Sequence, residues 1–194
     1  MTTPLRVMLV DACAERAEAL ARALADAGHS VAARIDDGHD LYAEVQRVAP
    51  DVVIIEVDSP DRDMLEGLQA ISNERPRPML VFTKDDDPDL IRSAVHAGVS
   101  AYVVDDLAPH RVQSVLNVAI ARFEQFQSLQ RELSAARCAL EDRKIVERAK
   151  GILMKQRKLD EAQAYAAMRS MAMERNLKLV ELARSVIAAA ELLA

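Results

Sequence analysis

At 194 residues, 51 % of them apolar, the chain can bury one or two real cores and is not a disordered tail. With no Trp and only 3 % aromatic residues, it lacks the material for a platform that stacks many bases. The net charge of −6 hides an asymmetry: residues 1–121 carry 11 Lys and Arg against 21 Asp and Glu, a balance of −10, whereas residues 122–194 carry 14 against 10, a balance of +4. Only the tail is suited to meet a polyanion.

No run of 18 apolar residues exists, so no membrane span is expected. Met1-Thr2-Thr3-Pro4 leads straight into a strand, so no signal peptide is expected either. Cys13 and Cys138 are far apart and in no metal spacing, which points to a reducing, cytoplasmic setting.

From Arg6 to about Ala121 strands and helices alternate. Arg6 to Val10 is an apolar strand ending at Asp11, and Glu15 to Ala27 a helix stopped by Gly28. Val31 to Ile35 is a second strand and Leu41 to Val48 a second helix. Asp51 to Glu56 is the most strand-like run, followed by a helix over Met64 to Glu74. Pro76 and Pro78 precede a strand over Met79 to Thr83, and a helix over Asp89 to Ala97 closes at Gly98. Ala101 to Val104 is a fifth strand, and Pro109 starts a fifth helix. Continuous apolar strands alternating with helices predict a buried parallel sheet covered on both faces. Ligands of such sheets bind at the carboxyl ends of the strands.

Those ends carry Asp11, Glu56, Asp58, Thr83, Asp105 and Asp106. This half resembles a response-regulator receiver domain of flavodoxin-like fold over its full length. That family has two acids after strand 1, a phosphorylatable Asp after strand 3, Thr or Ser after strand 4 and Lys after strand 5. Here Asp11 matches the first acid, Ala12 stands where the second belongs, and Pro60 sets a register that puts Glu56 at the phosphoacceptor position. Thr83 is retained and Asp105 takes the Lys position. Ala12 removes a ligand from a magnesium ion that needs several oxygens. Glu56 moves the nucleophilic oxygen by about an ångström, which can cost about 100-fold in rate. Asp105 puts an anion where a phosphoryl group needs its charge neutralised. The resemblance thus implies a receiver fold without phosphorylation chemistry. The acids then either solvate loops or, through Glu56, imitate a permanently charged state; the sequence leaves both open.

From Pro109 no Pro or Gly occurs until Gly151, so one helix of about forty residues is expected. Val112 to Ala119 suit packing on the receiver. Val115, Ala119, Arg122, Phe126, Leu129, Leu133, Ala136 and Leu140 alternate four and three apart, a heptad seam with one charged interruption. A coiled-coil homodimer through Phe126, Leu129, Leu133, Ala136 and Leu140 is expected.

Residues 139–155 form an amphipathic helix, with Leu140, Ile145, Val146, Ala149, Ile152 and Leu153 on the apolar stripe. Asp160 with Gln163 opens a further helix to about Arg175, with Asn176 as its cap. Its expected buried line is Ala162, Tyr165, Ala166, Met168 or Arg169, and Ala172. A last helix over Leu179 to Leu193 is expected to bury Val180, Ala183, Val186, Ile187 and Ala190. Met154, Met168, Met171 and Met173 read as gap-filling core.

Ala149-Lys150-Gly151-Ile152-Leu153-Met154, with Arg143 before it and Ala162, Tyr165, Arg169, Ala172 and Met173 after it, resembles the ANTAR module of the AmiR and NasR antiterminators. The resemblance runs from about Leu133 to the C-terminus. The whole is closest to NasT-type regulators of nitrate assimilation, with Ser59-Pro60-Asp61-Arg62-Asp63 after strand 3. It implies binding of paired hairpins in leader mRNA, which prevents a terminator from forming, and restraint by a ligand-sensing inhibitory partner protein. The expected RNA-binding residues are Arg143, Lys144, Arg148, Lys150, Gly151, Lys155, Arg157, Lys158, Tyr165 and Arg169, with most weight on Lys150, Lys155 and Arg169. Tyr165 suits a loop base or the core equally, and Gly151 suits close approach of RNA or of another helix. The expected division is a receiver over 1–121, a coiled-coil connector over 122–140 and the ANTAR domain over 141–194. No Ser/His/Asp or Cys/His arrangement and no phosphate-cradling Gly-rich loop is present, so no catalytic residue, metal or cofactor is expected. A DNA-binding regulator remains an alternative, although Leu179 to Leu193 carries only Arg184 beside Glu181 and Glu191. An adaptor-type or phosphotransfer response regulator is the other.

Overall fold

Val7 to Val10, Val52 to Ile55 and Met79 to Phe82 are each no more than 2 % exposed, and strands so apolar on both faces must be covered on both. In the computed structural model, which describes residues 3–36, 38–104 and 109–192, they are the centre of a five-stranded parallel sheet. The elements run β1 (Arg6–Asp11), α1 (Ala14–Asp26), β2 (Ser30–Ile35), α2 (Leu41–Val48), β3 (Val52–Glu56), α3 (Arg62–Glu74), β4 (Met79–Thr83), α4 (Pro88–His96) and β5 (Ala101–Val104). A 3-10 turn at Pro109–Arg111 leads into α5 (Val112–Arg157), and α6 (Glu161–Glu174) and α7 (Leu179–Leu192) follow. The strand order is β2-β1-β3-β4-β5, the flavodoxin-like winding.

The chain divides into two compact units, Met1–Gln127 and Ser128–Ala194. The division falls inside the stretch read as the connector.

In the first unit, Leu41, Val45, Leu68, Ile71 and Ala94 bring α2, α3 and α4 onto one face of the sheet. Leu20, Leu24, Val112, Leu116 and Ala119 bring α1 and the first turns of α5 onto the other. The turn from α4 to β5 requires Gly98, whose φ is +93° and whose missing Cβ would collide with Ser72. Asp40, Asp61 and Asp87 each cap the helix they precede through a backbone amide.

In the second unit, Ala149 and Leu153 of α5 meet Ala164, Met168 and Ala172 of α6 and Leu182 and Ala183 of α7. Asp160 and Gln163 form the full reciprocal capping box of α6. Asn176 follows that helix at φ 53°, the left-handed position expected of its cap.

Three packing expectations are corrected. Ala162, Tyr165, Ala166 and Arg169 are exposed, because the buried line of α6 is Ala164, Met168 and Ala172. Met173 is 72 % exposed and is not core. Leu182 joins Ala183 as the buried pair of α7, while Val180, Val186, Ile187 and Ala190 are only half-buried. Among the described residues, no helix is long and apolar enough to cross a membrane.

Candidate functional site

In the first unit, β1 and β3 are parallel neighbours with Asp11 opposite Glu56. Such strands lie about 4.8 Å apart, so the sheet itself sets two carboxylates side by side. Their side chains are 1 % and 4 % exposed. Neighbouring buried carboxylates either hold a proton between them or need a cation. The cation is Arg16, in the first turn of α1. Its Nη2 and Nε donate to Asp11 Oδ1 and Oδ2 at 2.7 and 2.9 Å, and Nε lies 3.0 Å from Glu56 Oε1. The hydrogen bond to Asp11, followed by the charge of Glu56, raises the Arg16 pKa above its ordinary value despite burial. Asp11 also accepts from the Cys13 amide at 2.8 Å.

This end of the sheet does not fit a magnesium ion. Ala12 is exposed and offers no side-chain oxygen, and a guanidinium already bridges the two acids. Thr83 is buried, but its hydroxyl donates to the Asp58 carbonyl at 2.7 Å and accepts from the Asp85 amide at 3.1 Å. Asp105 lies outside the described residues. Arg16 escaped the sequence reading. The available signal was a base in the first turn of a helix that starts directly beyond a strand-end acid.

In the second unit, the basic residues separate into two sets by their phase on α5. At about 100° per residue, Lys144, Arg148, Gly151 and Lys155 fall within an arc of roughly 60°. All three bases of that arc are exposed, and Lys158 follows at the end of the helix with φ 54°. The apolar stripe with Ala149 and Leu153 points the other way, into the bundle. A Cβ added at Gly151 would have nothing within 4 Å among the described residues, so none of the described helices packs on it.

Lys150 belongs to the other set. It is 7 % exposed, with Nζ 2.6 Å from Glu147 Oε2 and 2.8 Å from Glu161 Oε1. Glu147 and then Glu161 raise its pKa, and Lys150 in turn lowers that of Glu161. Lys150 thus ties α5 to the start of α6, with its ammonium already paired. Lys144 pairs with Glu141 and Arg148 with Glu191, both at 2.8 Å and both exposed, so these pairs are weak and exchangeable. Among the described residues, none forms an ion pair with Arg143, Lys155, Arg157, Lys158 or Arg169. Tyr165 is 44 % exposed on α6, which leaves its ring accessible and not in the core. Arg184 of α7 faces Asp142 at 3.6 Å.

Comparison with known proteins agrees with both halves. The response regulator receiver domain matches residues 7–117 and the ANTAR domain residues 134–187. PdtaR, a transcriptional regulatory protein of Mycobacterium tuberculosis, is 29 % identical over 184 residues, covering 95 % of this chain and 90 % of its own length. The nitrate regulatory protein of Klebsiella oxytoca is 35 % identical over 83 residues, 43 % of this chain and 21 % of that protein. Among solved structures, the receiver domain of the response regulator NarL from Mycobacterium tuberculosis superposes with a TM-score of 0.53 at 24 % identity, covering 61 % of this chain and 98 % of that one. Chemotaxis response regulator CheY4 of Vibrio cholerae does so at 0.52 and 23 %, covering 60 % and 99 %. These last two speak for the fold alone.

Proposed function

This chain belongs to the response-regulator receiver family and carries an ANTAR domain, and from that premise we propose that it is a cytoplasmic transcription antitermination regulator that binds hairpins in leader mRNA. It works by binding, not by catalysis. Nitrate and nitrite assimilation genes are its targets in this reading, in keeping with its likeness to a nitrate regulatory protein. A ligand-sensing partner holds it inactive, and it acts as a homodimer through the seam of α5.

The observation that carries the RNA reading is the face of α5 centred on Gly151. It joins an uncovered stretch of backbone to exposed Lys144, Arg148 and Lys155, with Lys158 at its end. Phosphates supply most of the affinity for a polyanion, and unstacked loop bases supply the specificity. Tyr165 and Arg169 lie exposed on the next helix to receive them.

Binding of a leader hairpin and of duplex DNA, measured over a salt series, tests the proposal. Hairpin RNA should bind more tightly. If Lys155 and Lys158 each meet a phosphate, changing both to Ala lowers the log–log salt slope by about 1.4, at about 0.7 per single-strand contact. An unaltered slope with intact folding would move the RNA to another face. Tighter binding of duplex DNA would favour a DNA-binding regulator.

A further inference from the structure

The disagreement between the acid end of the sheet and a divalent cation has a positive side. We propose that Arg16 is a built-in counter-cation that bridges the two acids at this end of the receiver, so that they are held side by side with neither a metal ion nor a phosphoryl group. The inference concerns the first unit and stands apart from RNA binding.

Three observations carry it. The strand register forces Asp11 and Glu56 together, whatever else the domain does. Both side chains are almost fully buried, at 1 % and 4 % exposure, so water cannot screen them. Arg16 alone reaches both among the ion pairs of the described residues, bidentate to Asp11 and 3.0 Å from Glu56. A planar, permanently charged fork suits this bridge as an ammonium does not. Because α1 tethers it, its local concentration is fixed and a free ion gains little by competing. An external cation would have to displace the guanidinium from both carboxylates.

Thermal melting of the full chain tests the idea. Millimolar magnesium or calcium should leave the parent melting temperature where EDTA leaves it. Arg16→Ala removes the cation that the two buried carboxylates share, and the melting temperature should fall by about 10 °C or more. Arg16→Lys should recover only part of that fall. Two routes restore balance in the Arg16→Ala background: added divalent ion, or Glu56→Gln, which leaves Asp11 with its Cys13 amide bond. Recovery by either route supports the proposal. An Arg16→Ala protein that melts like the parent would overturn it. So would a fall that neither route repairs, or a parent that divalent ions stabilise. If Arg16→Ala does not fold, Arg16→Ala/Glu56→Gln decides, since its failure to fold would count equally against charge as the cause.

Discussion

If RNA approaches the backbone at Gly151, stability and binding pull in opposite directions there. A glycine inside a helix costs about 0.5–1 kcal/mol relative to alanine. Among the described residues nothing lies within 4 Å of a Cβ built there. Gly151→Ala should therefore raise stability against urea by about that amount while weakening hairpin binding. Unfolding followed by circular dichroism, beside a binding titration, reads both. A variant that gains stability and binds as before would show that no ligand approaches this backbone. The neighbouring position makes the opposite case. Lys150 and Gly151 are adjacent in sequence but about 100° apart on the helix, so one faces the Glu pair and the other solvent. The sequence displayed a cluster of bases; which of them are open depends on phase and on Glu161, eleven residues away across a turn. The Lys150 pairing holds across the neutral range. Glu161, held below its ordinary 4.5, adds stability above that pH and loses it as pH falls through its folded value. Lys150, held above 10.5, adds stability below that pH and loses it as pH rises through its folded value. Arg16 was illegible for a related reason: its partners come from β1 and β3, far apart in sequence and joined only by sheet register.

Among the elements, the strands were the most legible, because a buried parallel strand is an unbroken apolar run whatever its neighbours. α6 was the least, since Ala162, Ala164, Ala166, Ala167 and Ala172 spread small apolar residues around the helix and blur its period. α5 outran the expected forty residues to reach 46, since Gly151 sits among strong helix formers that carry the helix past it to Arg157. Its middle poses a physical problem. Residues 128–141 are exposed on every side, and a lone helix gains little stability without packing. Phe126, Leu129, Leu133 and Leu140 are 53 %, 57 %, 46 % and 55 % exposed at alternating spacings of three, four and seven. In the homodimer proposed above, a second copy covers this row. Leu133→Lys would set two ammonium groups against each other there, at a cost of several kcal/mol. Sedimentation at micromolar concentration should show the parent as a dimer and the variant as a monomer. Equal sedimentation would mean that the seam lies elsewhere.

For the molecule as a whole, the division of charge and the closed acid site bear on the same question, how a signal enters. Residues 1–121 carry the negative balance and the tail the positive one, so the receiver repels the polyanion that the tail attracts. In a phosphorylation-driven switch, the receiver would gain charge on command. Here Glu56, at the end of β3 where the resemblance expects the acceptor, is 4 % exposed and lies 3.0 Å from a guanidinium that also binds Asp11. An attacking carboxylate must be free to reach phosphorus with the developing charge neutralised. Glu56 has the longer side chain, an existing partner and no second acid at Ala12 to hold a metal ion. Incubation with acetyl phosphate and magnesium should therefore leave the intact mass unchanged, and a stoichiometric gain of one phosphoryl group would refute this. If the mass holds, phosphorylation does not set the receiver's charge, which supports the proposed control by a binding partner. That is the physical reason to expect an inhibitory partner: a fixed acidic surface can be covered and uncovered, though it cannot be switched from within.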